Sequence, residues 1–255
     1  MDITVSAQAP VNFYLAGIPV TSTIVAAWLA CGVLILFAIL ATRNMQLVPS
    51  GLQNFAEFIV EGLLGLCEQV AGTRGRTFLP LVATLFLFIV TANWMGILPF
   101  YAESNWVHHH VPFTASHEAP LRSANSDLNV TAAMALIVFG WVQVTRIRSA
   151  GLFGWLKHLT WGPPPILELV SEIARPVSLA LRLFGNIFAG EVLLLVMSSL
   201  VPPAVPALFM GFELFVGIVQ ALIFAILTLA FLSLASAHHG EGDHHGAHER
   251  AASAH

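Results

Sequence analysis

The sequence predicts an all-α integral membrane protein: about five transmembrane helices, one interfacial amphipathic helix, and a long tilted C-terminal helical hairpin. Three observations predict it. Of the 255 residues, 57% are hydrophobic and only 9% charged, with a mean hydropathy of +0.80, far from the averages of water-soluble domains. The charges cluster, and the stretches between them reach roughly 20 apolar residues, enough to cross a hydrocarbon core about 30 Å thick. No series of short alternating strands marks a β-barrel, so helices are expected to satisfy the backbone within lipid.

Each element follows from local pattern. Residues 1–20 read as an extracytoplasmic N-terminal segment, and 21–147 as the N-terminal membrane helices. The first span, 21–41, ends in TRNMQLVPSG, where Arg43 brings a charge and Pro49 to Gly51 bring turn chemistry. No Lys or Arg precedes Arg43, so the basic region of a cleaved secretory signal and an Arg-rich presequence are both missing, and this segment is expected to remain a helix. Between 53 and 70, Glu57, Glu61 and Glu68 fall within about 40° of one another at 100° per residue, opposite a face rich in Phe, Leu and Ile. That fits a helix lying on the membrane or at its edge; an ordinary solvated polar face is the alternative.

Residues 77–101 form a clear span, with Trp94 and Tyr101 near its end, where interfacial aromatics gather. A polar outside loop is expected at 102–127. It holds His108, His109, His110 and His117, which are of metal-ligating type but read as a solvated loop, so no metal site is expected. Residues 129–144 span again, closed by TRIRSAGLFGWLKHL. The hairpin occupies 148–236, and the His-rich tail 237–255 is expected to be disordered. Cys31 and Cys67 have neither metal-ligand spacing nor a disulfide framework and are read as small packing residues. A net charge of −4 without a basic run argues against nucleic acid as a partner.

Orientation follows from the basic residues, because cytoplasmic loops carry the excess of Lys and Arg. With the N-terminus outside, Arg43, Arg74, Arg76, Arg146, Arg148 and Lys157 fall inside and Arg122 outside, and the C-terminal tail is cytoplasmic.

The hairpin carries the chemistry. A continuous helix from Pro165 to Leu200 would run roughly 54 Å, so it must tilt, break at Pro176 or leave the bilayer. On a helical wheel Glu168, Ser171, Arg175, Ser178 and Asn186 lie within about 40° of Arg182, and Gly185 and Ala189 border them. Small residues let another helix approach closely, so this face is shaped for a partner helix passing near the charge. Glu191 projects to the opposite side. Glu191 and Glu213 are equidistant from Pro202 along the chain, and Arg182 and Gln220 nearly so. An antiparallel hairpin would therefore hold an outer acidic layer and an inner layer of Arg182, Asn186 and Gln220.

A guanidinium stays charged at ordinary pH and does not relay protons, so Arg182 is cast as an electrostatic gate. Two neighbouring carboxylates in low dielectric cannot easily both ionise, which suits Glu191 and Glu213 to proton hand-off. The bland alternative pairs Arg175 and Arg182 with Glu168 and Glu172 as structural salt bridges. A deep ionisable group costs about 2.5–3.5 kcal/mol on insertion scales and generally marks an ion pathway, which favours the gate for Arg182.

The stretches RPVSLALRLFGNIFAGE and FELFVGIVQALIFAILTLAFLSLA resemble the two signature helices of subunit a of the F-type ATP synthase membrane sector, and ANWMGILP and SDLNVTAAMAL extend the likeness. The resemblance implies a stator in a bacterial inner membrane, working against a rotating ring of c subunits and held by a b-subunit peripheral stalk and other synthase subunits. Arg182 matches the family's essential arginine, and Ser178 a position lining the cytoplasmic side. Asn186, Glu191, Glu213 and Gln220 match the polar positions associated with that arginine and the outer half-channel, with Arg175, Glu172, Asp127 and Asn129 as secondary polar candidates. Some bacterial relatives carry histidine where this chain has Glu213. No cofactor is implied, and no phosphate-cradling loop is present, so nucleotide chemistry belongs to other subunits. A self-contained secondary transporter is the alternative, but no internal repeat is visible; a structural scaffold would not need matched polar layers.

Overall fold

A computed structural model of the chain describes residues 11–15, 17–97, 122–161, 165–200 and 204–237. Val11–Leu15 (β1) and Ile18–Thr21 (β2) form an antiparallel hairpin, which leads into the helix Ser22–Thr42 (α1). Leu52–Ala71 (α2) is followed by a 3-10 turn and by Gly75–Gly96 (α3). A 3-10 turn at Ala124–Ser126 opens Leu128–Trp161 (α4), and Pro165–Leu200 (α5) and Ala204–Ala237 (α6) complete the chain. The β-hairpin is a departure from the sequence reading, which assigned no element before residue 21; otherwise the described chain is helical.

Five helical stretches are long and apolar enough to cross a membrane: Ser22–Thr42, Leu52–Gly96, Leu128–Ser149, Val170–Met197 and Val205–Ser236. The protein is an all-α, multi-pass membrane protein. Its main core is one stripe from each of four helices, joined by Cys67 of α2. Phe78, Val82, Leu85 and Ile89 of α3 meet Met134, Ala135, Val138 and Val142 of α4. Leu179, Leu183 and Ile187 of α5 and Ala221, Ala225, Leu229 and Leu232 of α6 close the cluster. The spacings of three and four residues put each set on one helix face. On α1 the large residues Trp28, Ile35, Leu36 and Ile39 face outward, as lipid contact requires, while Ala26 and Ala30 pack against Ala92.

Side-chain contacts fix the direction of each helix. Thr23 at the start of α1 meets Asp127, whereas Arg146 near the far end of α4 meets Glu172 of α5. Asn93 at the end of α3 meets Gly217 of α6, and Arg74 just before α3 reaches the Ser236 carbonyl. Chain direction thus alternates through α3, α4, α5 and α6. One end of the bundle carries Arg122, Asp127, Glu191 and Glu213, and the other carries Arg74, Arg146 and Glu172. Phe55, early in α2, packs edge-on against Phe37 of α1, and at the end of α2 the Val70 carbonyl accepts from Ser233 of α6. Both ends of α2 therefore touch the Arg74 end.

Two local readings change. The helix expected at 129–144 continues to Trp161 and is interrupted at Gly151, whose φ of 70° lies in the left-handed region that glycine tolerates. α5 runs unbroken through Pro176, so of the three options for so long a helix it does not take the break. Cys67 is buried as expected of a packing residue, but Cys31 is exposed. The loop histidines, Tyr101, Pro202, the tail and the side chains of Lys157 and Glu168 lie outside the described residues.

Candidate functional site

α5 divides sharply into two faces. Leu179, Leu183 and Ile187 turn inward, and Ser178, Arg182, Gly185 and Ala189 are exposed on the other side. Arg182 stands near the middle of α5. Among the described residues its side chain makes no ion pair, hydrogen bond or ring contact. Glu172 does not serve it: that carboxylate is paired with Arg146 and accepts from Gln143 Nε2 at 2.9 Å, with the Arg146 and Glu172 side chains 10% and 7% exposed. Nor does Glu172 pair with Arg175, whose guanidinium lies 5.5 Å from the centre of the Phe231 ring. Salt bridges from Glu172 to Arg175 or Arg182 are thereby ruled out, and Glu172 joins α5 to α4 instead. Phe231, Pro176 and Glu172 also line a small cavity between α4, α5 and α6.

The outer acidic layer takes a form that the wheel did not foresee. Glu191 accepts a 3.0 Å ion-paired hydrogen bond from Arg122 Nε, and the Arg122 guanidinium lies 5.5 Å from the Phe188 ring centre. Glu213 of α6 lies against the backbone of Gly190, the residue before Glu191. A Cβ added at Gly190 would stand 2.5 Å from Glu213 Oε1, closer than packing allows, so the absence of a side chain there makes room for the carboxylate. Glu213 Oε2 is buried without a hydrogen-bond partner among the described residues, and so are Asn186 Nδ2 and Gln220 Nε2. An orphaned buried polar atom costs about 1–3 kcal/mol. With Thr228 Oγ1 of α6, four on one hairpin mark a polar interior that internal packing among the described residues does not satisfy. Arg182 and Gln220, nearly level by chain count, make no hydrogen bond to each other.

Asp127 and Asn129 are occupied in holding the fold. Asp127 Oδ2 accepts from Thr23 Oγ1 at 2.7 Å, and Oδ1 accepts from the Asn129 backbone N–H at 2.8 Å, capping the start of α4 and tying it to α1. Beside them runs a buried amide chain that sequence reasoning passed over. Asn125 Nδ2 donates to Asn93 Oδ1 at 2.6 Å, and Asn93 Nδ2 donates to the Gly217 carbonyl at 3.1 Å. Trp94, read from sequence as an interfacial aromatic, donates from Nε1 to the Leu214 carbonyl at 3.3 Å. The available signal was an asparagine inside an otherwise apolar span. No cluster of three or more metal-ligating side chains occurs among the described residues.

Fold and site together define a polytopic helical membrane protein whose hairpin, among the described residues, presents the unpaired Arg182 outward and a group of unsatisfied polar atoms inward. Residues 24–233 match the family described as ATP synthase A chain. ATP synthase subunit a of Moorella thermoacetica is 34% identical over 87% of this chain and 93% of its own length. That of Gloeobacter violaceus is 37% identical over 88% and 86%, and subunit a 3 of Pelobacter propionicus 36% over 83% and 86%. The chain belongs to the ATP synthase subunit a family, membrane-sector subunits engaged in ATP synthesis and proton transport.

Proposed function

We propose that this chain is the proton-translocating stator of an F-type ATP synthase, forming two offset half-channels against a rotating ring of c subunits with Arg182 between them. The observation that carries this reading is Arg182 itself, a guanidinium exposed in mid-helix on a stripe of small side chains and unpaired among the described residues. A charge facing lipid there would cost about 2.5–3.5 kcal/mol. A succession of ring carboxylates passing that face supplies the missing counter-charge, and Ser178, Gly185 and Ala189 leave room for their helices.

The mechanism follows. A ring carboxylate takes a proton from the outer half-channel, becomes neutral and can rotate through lipid. On reaching the inner half-channel, lined on the cytoplasmic side by Ser178, it loses the proton, because Arg182 favours its ionised form. Arg182 cannot itself carry the proton and so blocks direct passage between the channels. Glu191 and Glu213 serve the outer channel, and Asn186 and Gln220 the polar layer between them and Arg182. Each charge moved is worth about 2.3 kcal/mol per 100 mV, so several are combined per ATP.

The orientation is N-terminus outside and C-terminus cytoplasmic, in a bacterial inner membrane. It is supported by the gathering of Arg43, Arg74, Arg76, Arg146 and Arg148 toward one end of the bundle. α2, touching that same end at both its termini, is read as the interfacial helix and as a surface open to a b-subunit stalk.

The test is the assembled synthase in proteoliposomes. Arg182→Ala is expected to abolish coupled ATP synthesis while the complex still assembles. Normal ATP-driven proton pumping by that variant would defeat the reading.

A further inference from the structure

The two outer carboxylates are not equivalent. Glu191 is bound to a guanidinium, whereas among the described residues Glu213 makes no hydrogen bond and has one oxygen buried without a partner. Arg122 is also firmly seated. The segment that follows it, Ser123 to Asp127, is buried, bonded through Asn125 to α3 and through Asp127 to α1. Its guanidinium is held between the Glu191 carboxylate and the Phe188 ring, and its side chain is 12% exposed. A largely enclosed arginine in that setting favours an ionised partner, since a neutral carboxyl would leave the cation uncompensated.

We propose that Arg122 is a positioning residue of the outer half-channel: it fixes Glu191 as a standing carboxylate and thereby leaves Glu213 as the group that takes up and passes on the proton. The inference rests on the stator reading. A hydronium in the outer channel gives its proton to the Glu213 carboxylate, forming a neutral acid. That acid donates the same proton to an arriving ring carboxylate, and Glu213 returns to its starting form. Glu191 stays charged throughout. Among the described residues, the groups around Glu213 fit this division. α5 offers Glu191, with Arg182 deeper on its other face. α3 offers the neutral Asn93 and Trp94. The segment before α4 offers Arg122 and Asp127, the latter committed to Thr23 and Asn129. The charges of α2 and α4 lie toward the opposite end, where Arg74 meets Ser236 and Arg146 meets Glu172.

The dependence of ATP synthesis by the reconstituted complex on the pH of the outer compartment tests this, with subunit content and ATP hydrolysis recording assembly. In Arg122→Gln, Glu191 is released to share a proton with Glu213, and the alkaline limb should move up by about one pH unit. Arg122→Lys should keep the wild-type limb, and Arg122→Gln with Glu191→Gln should return the limb to it. An unmoved limb in assembled Arg122→Gln overturns the inference. If that variant does not assemble, the double variant decides, a wild-type limb supporting the assignment and a shifted one overturning it. Coupling that survives Arg182→Ala would defeat the stator reading instead, so the two failures are distinguishable.

Discussion

Arg146 and Arg182 are the same residue type in neighbouring membrane helices, and the fold treats them oppositely. Arg146 is buried against Glu172, in a network that also includes Gln143, so its charge is compensated within the chain. Arg182 is exposed on a face of small residues and has no partner among the described residues. A closed network locks α4 to α5. An open charge has meaning only with respect to another polypeptide. The difference separates what holds this protein together from what it presents to a partner.

Substitutions can break or sharpen that contrast. The largest expected effect is at the open charge: Arg182→Ala should lower coupled ATP synthesis by about 1000-fold or more while leaving the thermal unfolding of the purified complex unchanged. Arg146→Met should do the reverse, destabilising the chain by about 3–5 kcal/mol because Glu172 is left buried and uncompensated. Adding Glu172→Leu should recover most of that loss, read as the melting temperature and as assembled yield. If Arg146→Met melted normally yet stopped proton flow, the contrast between closed and open charges would be wrong.

Asn93→Leu belongs with the closed group. It removes the donor to Gly217 and the acceptor for Asn125, and should cost about 1–3 kcal/mol of stability. Gly190→Val belongs with the open group. Its side chain would displace the Glu213 carboxylate, lowering coupled turnover by about tenfold with little change in melting temperature.

Much of this was legible in the sequence. Long apolar stretches announced the spanning helices, and a helical wheel alone placed Ser178, Asn186 and Arg182 on one side of α5, because period and composition are local properties. The β-hairpin was missed because VNFYL and IPVT are too short for alternation to speak clearly. The continuation of α4 was missed because a positive-φ glycine and a helix stop look alike in sequence. Glu191 was placed beside Glu213 by chain counting, but its partner Arg122 lies far away in sequence, and no wheel or hairpin count reaches across that distance.

The chain's composition and periodicity determined by themselves that this is a helical membrane protein, and its hairpin motifs determined the family resemblance, since both are written in neighbouring residues. Which charges close on one another was decided only by tertiary structure. Glu172 went to Arg146, Glu191 to Arg122, and Asp127 to Thr23, each across a helix boundary. Pairing energies fall off within a few ångströms, so the choice among several available carboxylates depends on helix packing, and only packing left Arg182 facing outward alone.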